Sequence, residues 1–272
     1  MARPIAVFLG PSLPWREAAC ILDAVYLPPA EQGSIPAVLG YYRPRALVLI
    51  DGAFGRVPAV RHKEILWALD AGVPVYGAAS MGALRAAELA GFGMLGHGLV
   101  YRWYRATPFA DDDAIAVTMG PADLGAPALS EALINMRLSL RRAERQGVIA
   151  RQTRQRLAGL AADTPFAERS YERLVDDARR AGAGEAAEDL DRLGAWLAGH
   201  AVDQKRADTL SLLRALAADP ARIERDTARL TKRPSFAMTA AWADDLTDAG
   251  FDVAEIVARR AEGEHSSSGA SE

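Results

Sequence analysis

Short, continuous apolar runs punctuate the first part of the chain: Ile5 to Leu9, Ala46 to Ile50 and Val73 to Tyr76. Runs of this length, aliphatic and without polar alternation, predict strands buried on both faces, as in a parallel sheet covered by helices. Between them the apolar residues recur at helical spacing. Ala18, Ile21, Leu22 and Val25 share one face of a helix predicted from Trp15 to Val25, which Pro28 and Pro29 stop. A second helix is predicted around Ile35 to Tyr42. A third runs from Pro58 to Ala71, with His62, Ile65, Leu66 and Leu69 inward, and a fourth from Ala83 to Leu89. Gly91 to Gly98 reads as a glycine-dense loop, and Ala114 to Thr118 as a last strand.

Beyond Gly120 and Pro121 the pattern changes to helical stripes. Leu129, Leu133, Met136 and Leu140 form one, and Phe166 to Ala178 another, with Thr164 as cap and Pro165 first. Leu190, Leu193 and Leu197 follow, then Leu210, Leu213 and Leu216. The fold class is therefore α/β, a small parallel Rossmann-like sheet in the N-terminal half followed by a helical C-terminal region. The expected division is 1–120 for the α/β core carrying the site, 121–261 for the helical region and 262–272 for a disordered tail. No fixed repeat period joins the helices.

Composition narrows the class. The 272 residues are 50% hydrophobic with a formal net charge of -3, which supplies no basic field for nucleic acid. Cys20 is the single cysteine, so neither an internal disulfide nor a thiolate metal cluster is expected. No apolar run approaches the roughly 20 residues of a membrane span, and the first residues lack a signal-peptide pattern. A cytoplasmic protein that needs neither membrane nor nucleic acid is expected. The lysines are Lys63, Lys205 and Lys232 among many arginines. Only a lysine becomes a proton acceptor on desolvation, so each bears on the chemistry.

The candidate chemistry centres on GVPVYGAASMGALRAAEL, Gly72 to Leu89. Its turn, Ala78 to Gly82, fits the small-x-Ser-x-Gly nucleophile elbow between strand and helix. Three readings of Ser80 stand: nucleophile, helix cap, or part of a phosphate cradle. Lys63, early in the helix before this strand, falls on the same rim in a βαβ crossover and is either solvated or a base for Ser80. Asp51, closing the second apolar run, sits where α/β sheets carry ligand residues and equally suits a turn. Arg85 and Glu88 are spaced to pair. Metal binding by Asp111, Asp112 and Asp113 lacks further ligands, so no metal is expected. Arg137, Arg141, Arg142 and Arg145 form a basic helix face, read as solvated charge or as a surface for an acidic partner. His97, His200 and His265 offer no triad.

Taken together, the ordered motifs resemble the TfuA-like family: VFLGPSL at Val7 to Leu13, IDGAF at Ile50 to Phe54, VRHKEILWAL at Val60 to Leu69 and GAASMGALRAAEL at Gly77 to Leu89. FGM at Phe92 to Met94, the Asp111-Asp112 pair and VDQKRAD at Val202 to Asp208 extend the match. Met119 follows the AVT run where the resemblance leads one to look for a histidine. The resemblance implies an accessory protein for a YcaO enzyme in peptide backbone thioamidation. It implies a Ser-Lys hydrolase that releases sulfide from a thiocarboxylated ThiS-like sulfur carrier, with the precursor peptide as a further partner and no cofactor of its own. Carried over by motif, the pair is Ser80 and Lys63. Arg61 or His62 would lower the lysine pKa, and the backbone N–H groups of Met81 and of the Gly10 to Ser12 loop would meet an oxyanion. Asp51, His62 and Arg85 would support the site. The rivals are a non-catalytic adaptor that docks carrier and YcaO, and a phosphate- or nucleotide-binding domain.

Overall fold

The computed structural model describes residues 3–55, 57–107, 109–182, 187–230, 239–248 and 251–254. Strands β1 (Ile5–Phe8), β2 (Val25–Leu27), β3 (Ala46–Leu49), β4 (Val75–Ala78) and β5 (Leu95–His97) pair in parallel in the order β2-β1-β3-β4-β5. The chain steps outward from β1 to β2 and then crosses back to β3. A crevice at the carboxyl ends of β1 and β3 follows, the place where open α/β sheets bind ligands.

Burial on both faces explains the unbroken apolar runs. One face carries Phe8, Leu47, Leu49 and Val75 and meets α2 (Ser34–Tyr42), α3 (His62–Asp70), α4 (Met81–Leu89) and α5 (Gly98–Ala106). The other carries Val7, Val48, Ile50 and Tyr76. It is covered by Leu13, Ala18 and Leu22, around α1 (Trp15–Ala19), and by Leu212, Leu213 and Leu216 of α10 (Gln204–Ala218). Between these lie α6 (Leu133–Arg145), α7 (Arg151–Asp163), α8 (Tyr171–Arg180) and α9 (Ala187–His200), whose leucine stripes meet in a core of their own. After α10 come α11 (Arg222–Arg229) and α12 (Ala240–Asp248). The expected α/β sheet and helical continuation are what the chain forms.

Several local expectations are corrected. The first helix ends at Ala19, and Val25 instead opens β2 opposite Ala6. That short strand satisfies the backbone groups of β1 that a longer helix would leave unpaired. Leu95 to His97, read as loop, is the opposite edge strand. The third helix starts at His62, because Pro58 accepts from Gln32 N–H and Ala59 bridges to Glu31. Its inward face is Glu64, Ile65, Ala68 and Leu69, which turns His62 outward to Glu88 at 2.8 Å. Glu64 is buried because its carboxylate accepts N–H groups of Gly33 (3.0 Å) and Ile35 (3.3 Å) at the start of α2 and of Arg61 (3.0 Å) at the start of α3. Desolvation raises its pKa against those bonds.

Ala114 to Thr118 is no strand of the sheet. A 3₁₀ turn over Asp112–Ile115 leads into a strap that pairs with its own continuation: Thr118 N–H donates to Ser130 Oγ and Leu129 N–H to Thr118 O, both at 2.8 Å. Leu129 precedes its helix, and α8 starts at Tyr171, capped by Ser170 Oγ accepting from Arg173 N–H, rather than at Thr164-Pro165. The expected tail, 262–272, lies outside the described residues, as do Lys232 and His265.

Candidate functional site

The sequence of the Ser80 turn dictates its shape. Ser80 N–H donates back to Ala78 O at 2.7 Å, closing a three-residue γ-turn whose central residue, Ala79, has a φ of 65°. A non-glycine residue held at positive φ is strained, and such strain gathers at functional positions. The bend drives α4 onto the sheet so closely that a Cβ on Gly82 would lie 1.7 Å from the Leu49 carbonyl oxygen. Gly82 N–H donates to Ile50 O at 3.1 Å. Glycine there is a condition of the turn.

Ser80 is the N-cap residue of α4 by position, yet its side chain makes no cap hydrogen bond. The cap reading therefore loses its usual support. The residue is 6% exposed and lines a narrow cavity with Pro11, Asp51, Phe54, Met81, Val117 and Met119, with room, about 10 Å³, for one water. The strap from Ile115 to Met119 roofs it. Met119, the position singled out for a missing histidine, is part of that wall. The Met81 N–H, first of α4, makes no backbone hydrogen bond among the described residues, which leaves it available to an anion beside Ser80.

Asp51, 1% exposed at the end of β3, organises the adjoining loop. Its Oδ2 accepts from the N–H groups of Gly10 (2.9 Å) and Ser12 (3.0 Å), and its Oδ1 from Ser12 Oγ (2.7 Å). The two loop donors expected to meet an oxyanion are thus engaged by a carboxylate, and Asp51 holds the loop that follows β1.

Lys63 lies elsewhere. It lines a separate, open cleft of about 310 Å³ with Val60, Arg61, His62, Arg85, Trp242 and Asp245, and its amine donates to Thr239 Oγ1 just before α12. No hydrogen bond joins it to Ser80 among the described residues. Arg61 pairs with Asp245, while His62 and Arg85 both meet Glu88 at 2.8 Å. Burial pushes the Glu88 carboxyl up, but its hydrogen bonds with His62 and Arg85 and the adjacent Arg85 charge outweigh burial and leave its pKa lowered. The structure therefore brings Ser80, Met81, Asp51, Gly10 and Ser12 to one edge of the sheet and Lys63, His62 and Arg85 to another cleft.

Lys205 was not singled out as a site residue. It is 4% exposed on α10, donates from Nζ to Ile115 O at 2.9 Å, and lines a polar cavity of about 140 Å³ with Ser12, Glu131, Asn135, Tyr171 and Asp203. Desolvation lowers its pKa, and Asp51, Asp203 and Glu131 pull it back up. The available signal was its register: Lys205, Asp208, Thr209 and Leu212 put polar residues on the buried face of a leucine-rich helix. His97 instead bonds Ser211 at 2.8 Å and His200 stacks on Trp196. Asp113 is held by Arg169, and Asp111 faces Arg137 at 3.7 Å. Among the described residues no group of three or more His, Cys, Asp or Glu side chains gathers to hold a metal ion, and no helix is long and apolar enough to cross a membrane.

Residues 51–170 match the family model described as TfuA-like protein. Over that stretch the chain is similar to the TfuA-like family. The matched stretch opens at Asp51, takes in the Ser80 elbow, Met119 and the strap, and closes at Ser170. Val7 to Leu13 and Val202 to Asp208 lie outside it, so the roles of Ser12 and Lys205 rest on geometry. Among curated proteins, none matches the chain.

Proposed function

We propose that this TfuA-like protein serves a YcaO enzyme in peptide thioamidation by releasing sulfide from the C-terminal thiocarboxylate of a ThiS-like carrier, with Ser80 as nucleophile. The observation that carries the reading is the uncapped serine on a strained strand-to-helix turn, beside a free helix N–H. Ser80 Oγ attacks the thiocarboxylate carbon as its proton passes to a base. The oxygen develops negative charge towards Met81 N–H, the base returns its proton to the sulfur as the C–S bond breaks, and hydrosulfide leaves. Water then cleaves the Ser80 ester, giving the carrier carboxylate and restoring the hydroxyl. In the Ser-Lys version of this chemistry Lys63 is that base, and it would have to leave Thr239 to reach Ser80.

A second reading is favoured by a specific observation: the cavity over Ser80 admits one water, so no carrier terminus reaches it in this conformation. The chain would then be an adaptor that docks carrier and YcaO without cleaving a bond. Incubation of the thiocarboxylated carrier with the protein, with and without its YcaO partner, separates the two. Hydrosulfide, carrier carboxylate and an acyl adduct on the Ser80 peptide by mass spectrometry are the expected products. Thioamidation that proceeds without any of the three leaves the adaptor.

A further inference from the structure

We propose that Lys205 is the lysine that serves the Ser80 site, as a positioning residue whose ammonium holds the roof carbonyl of Ile115 and counters the Asp51 carboxylate. The inference rests on the sulfide-release reading and names the residue that sets its geometry. A buried ammonium is destabilising unless charges and acceptors surround it, so its presence here calls for a role or a tight pairing. Here the pairing joins the elements that shape the site. Its Nζ reaches the carbonyl of Ile115, a wall residue of the Ser80 cavity. Pro11 and Val117 line both that cavity and the polar one containing Lys205, so a single partition separates them. Ser12, on the Lys205 side, is bonded to Asp51, on the Ser80 side.

The start of α10, and with it the lysine, is itself fixed by α6. Asn135 of α6 accepts from the N–H groups of Gln204 (2.9 Å) and Lys205 (3.4 Å), and Asp203 accepts from Asn135 Nδ2 (3.2 Å) and Arg206 N–H (3.0 Å) at the start of α10. The charges facing it are Asp51 after β3, Glu131 before α6 and Asp203 before α10, with the Tyr171 hydroxyl of α8 also on the cavity wall. Of the three N–H donors of an ammonium, one is committed to Ile115 among the described residues. Burial holds the ammonium below the ordinary 10.5, and burial first, then Asp203, raises the Glu131 carboxyl. Activity that requires the charged lysine is therefore lost on the alkaline side at a pH below 10.5.

Steady-state hydrosulfide release from the thiocarboxylated carrier, in the presence of YcaO, tests this with full-length wild type, Lys205→Met, Lys205→Arg and Ser80→Ala. The expected result is that Lys205→Met lowers kcat by about 100-fold with KM for the carrier changed less than about threefold, the signature of a misplaced catalytic wall. Lys205→Arg should recover at least about tenfold of that loss and move the alkaline limb upward, because a guanidinium does not titrate there. Wild-type kcat in folded Lys205→Met overturns the assignment, as does a Lys205→Arg enzyme with an unshifted alkaline limb. The second result decides the matter even where the methionine variant does not fold. Undiminished release by Ser80→Ala would instead remove the parent reading. An inactive Ser80→Ala beside a fully active Lys205→Met removes this inference alone.

Discussion

Ser80 and Lys63 are 17 positions apart in sequence and belong to one βαβ crossover, yet they occupy unlike surroundings. The serine sits beneath a strap at the carboxyl edge of the sheet, with a neighbour, Asp51, that is fully committed to backbone and hydroxyl donors. The lysine stands in an open cleft among ion pairs that bind α3 to α4 and α12. A shared rim in the topology does not make a shared site. The first turn of a crossover helix is free to rotate about its axis, and here Glu64 fixes that rotation by capping two helices from the inward position. Proximity to the sheet edge was legible in the sequence, whereas the direction in which a side chain leaves the helix was not.

The contrast can be broken experimentally. Ser80→Ala should abolish sulfide release, by about four orders of magnitude, with an unchanged circular dichroism spectrum, since removal of a nucleophile costs this much or more. Release at the wild-type rate would empty the buried edge of chemistry. Gly82→Ala places a methyl group against the Leu49 oxygen and is expected to cost about 4 kcal/mol in urea unfolding, or to prevent folding. A neutral outcome would mean that the turn is loose. Asp51→Ala leaves the donors of Gly10 and Ser12 without their acceptor and should destabilise by about 3 kcal/mol, with Asp51→Asn recovering part of it. Equal unfolding midpoints for the two variants would show that the carboxylate is not what holds the loop. The smallest effect belongs to Lys63→Ala, whose exposed cleft predicts a loss of less than about 1 kcal/mol and release within about threefold of wild type. A loss as large as that of Ser80→Ala would reunite the pair and require Lys63 to leave Thr239 in the working complex.

The parts of the fold that could be read share a physical property. β1, β3 and β4 are buried on both faces, so their composition alone marks them. β2 and β5 are three-residue edge strands of half-buried residues, and neither period nor burial distinguishes them from turns. The elbow was legible because close approach of α4 to the sheet demands small residues at fixed positions. Asp51 was legible as a strand-end acid but not as the ligand of Gly10 and Ser12, because that bond closes across two strands. Lys205 was hidden differently. The leucine stripe of α10 announces a buried face, and the lysine lies beside that stripe as an ordinary charged residue until the sheet is folded against it.

The strap over Ser80 and the 3₁₀ turn that leads into it are held at two carbonyls by two buried cations: Arg169 reaches Asp113 O in the turn and Lys205 reaches Ile115 O where the strap begins, both at 2.9 Å. Arg169 holds the first from the loop before α8, and Lys205 holds the second from the start of α10, which Asn135 ties to α6. Lifting the roof from Ser80 therefore has to loosen the Lys205 tie. On the sulfide-release reading proposed above, the enclosed volume would act as an airlock: entry of an acyl terminus and escape of hydrosulfide would each wait on that lifting. The turnover rate would then report how often the roof lifts, and a partner that grips it would set the pace.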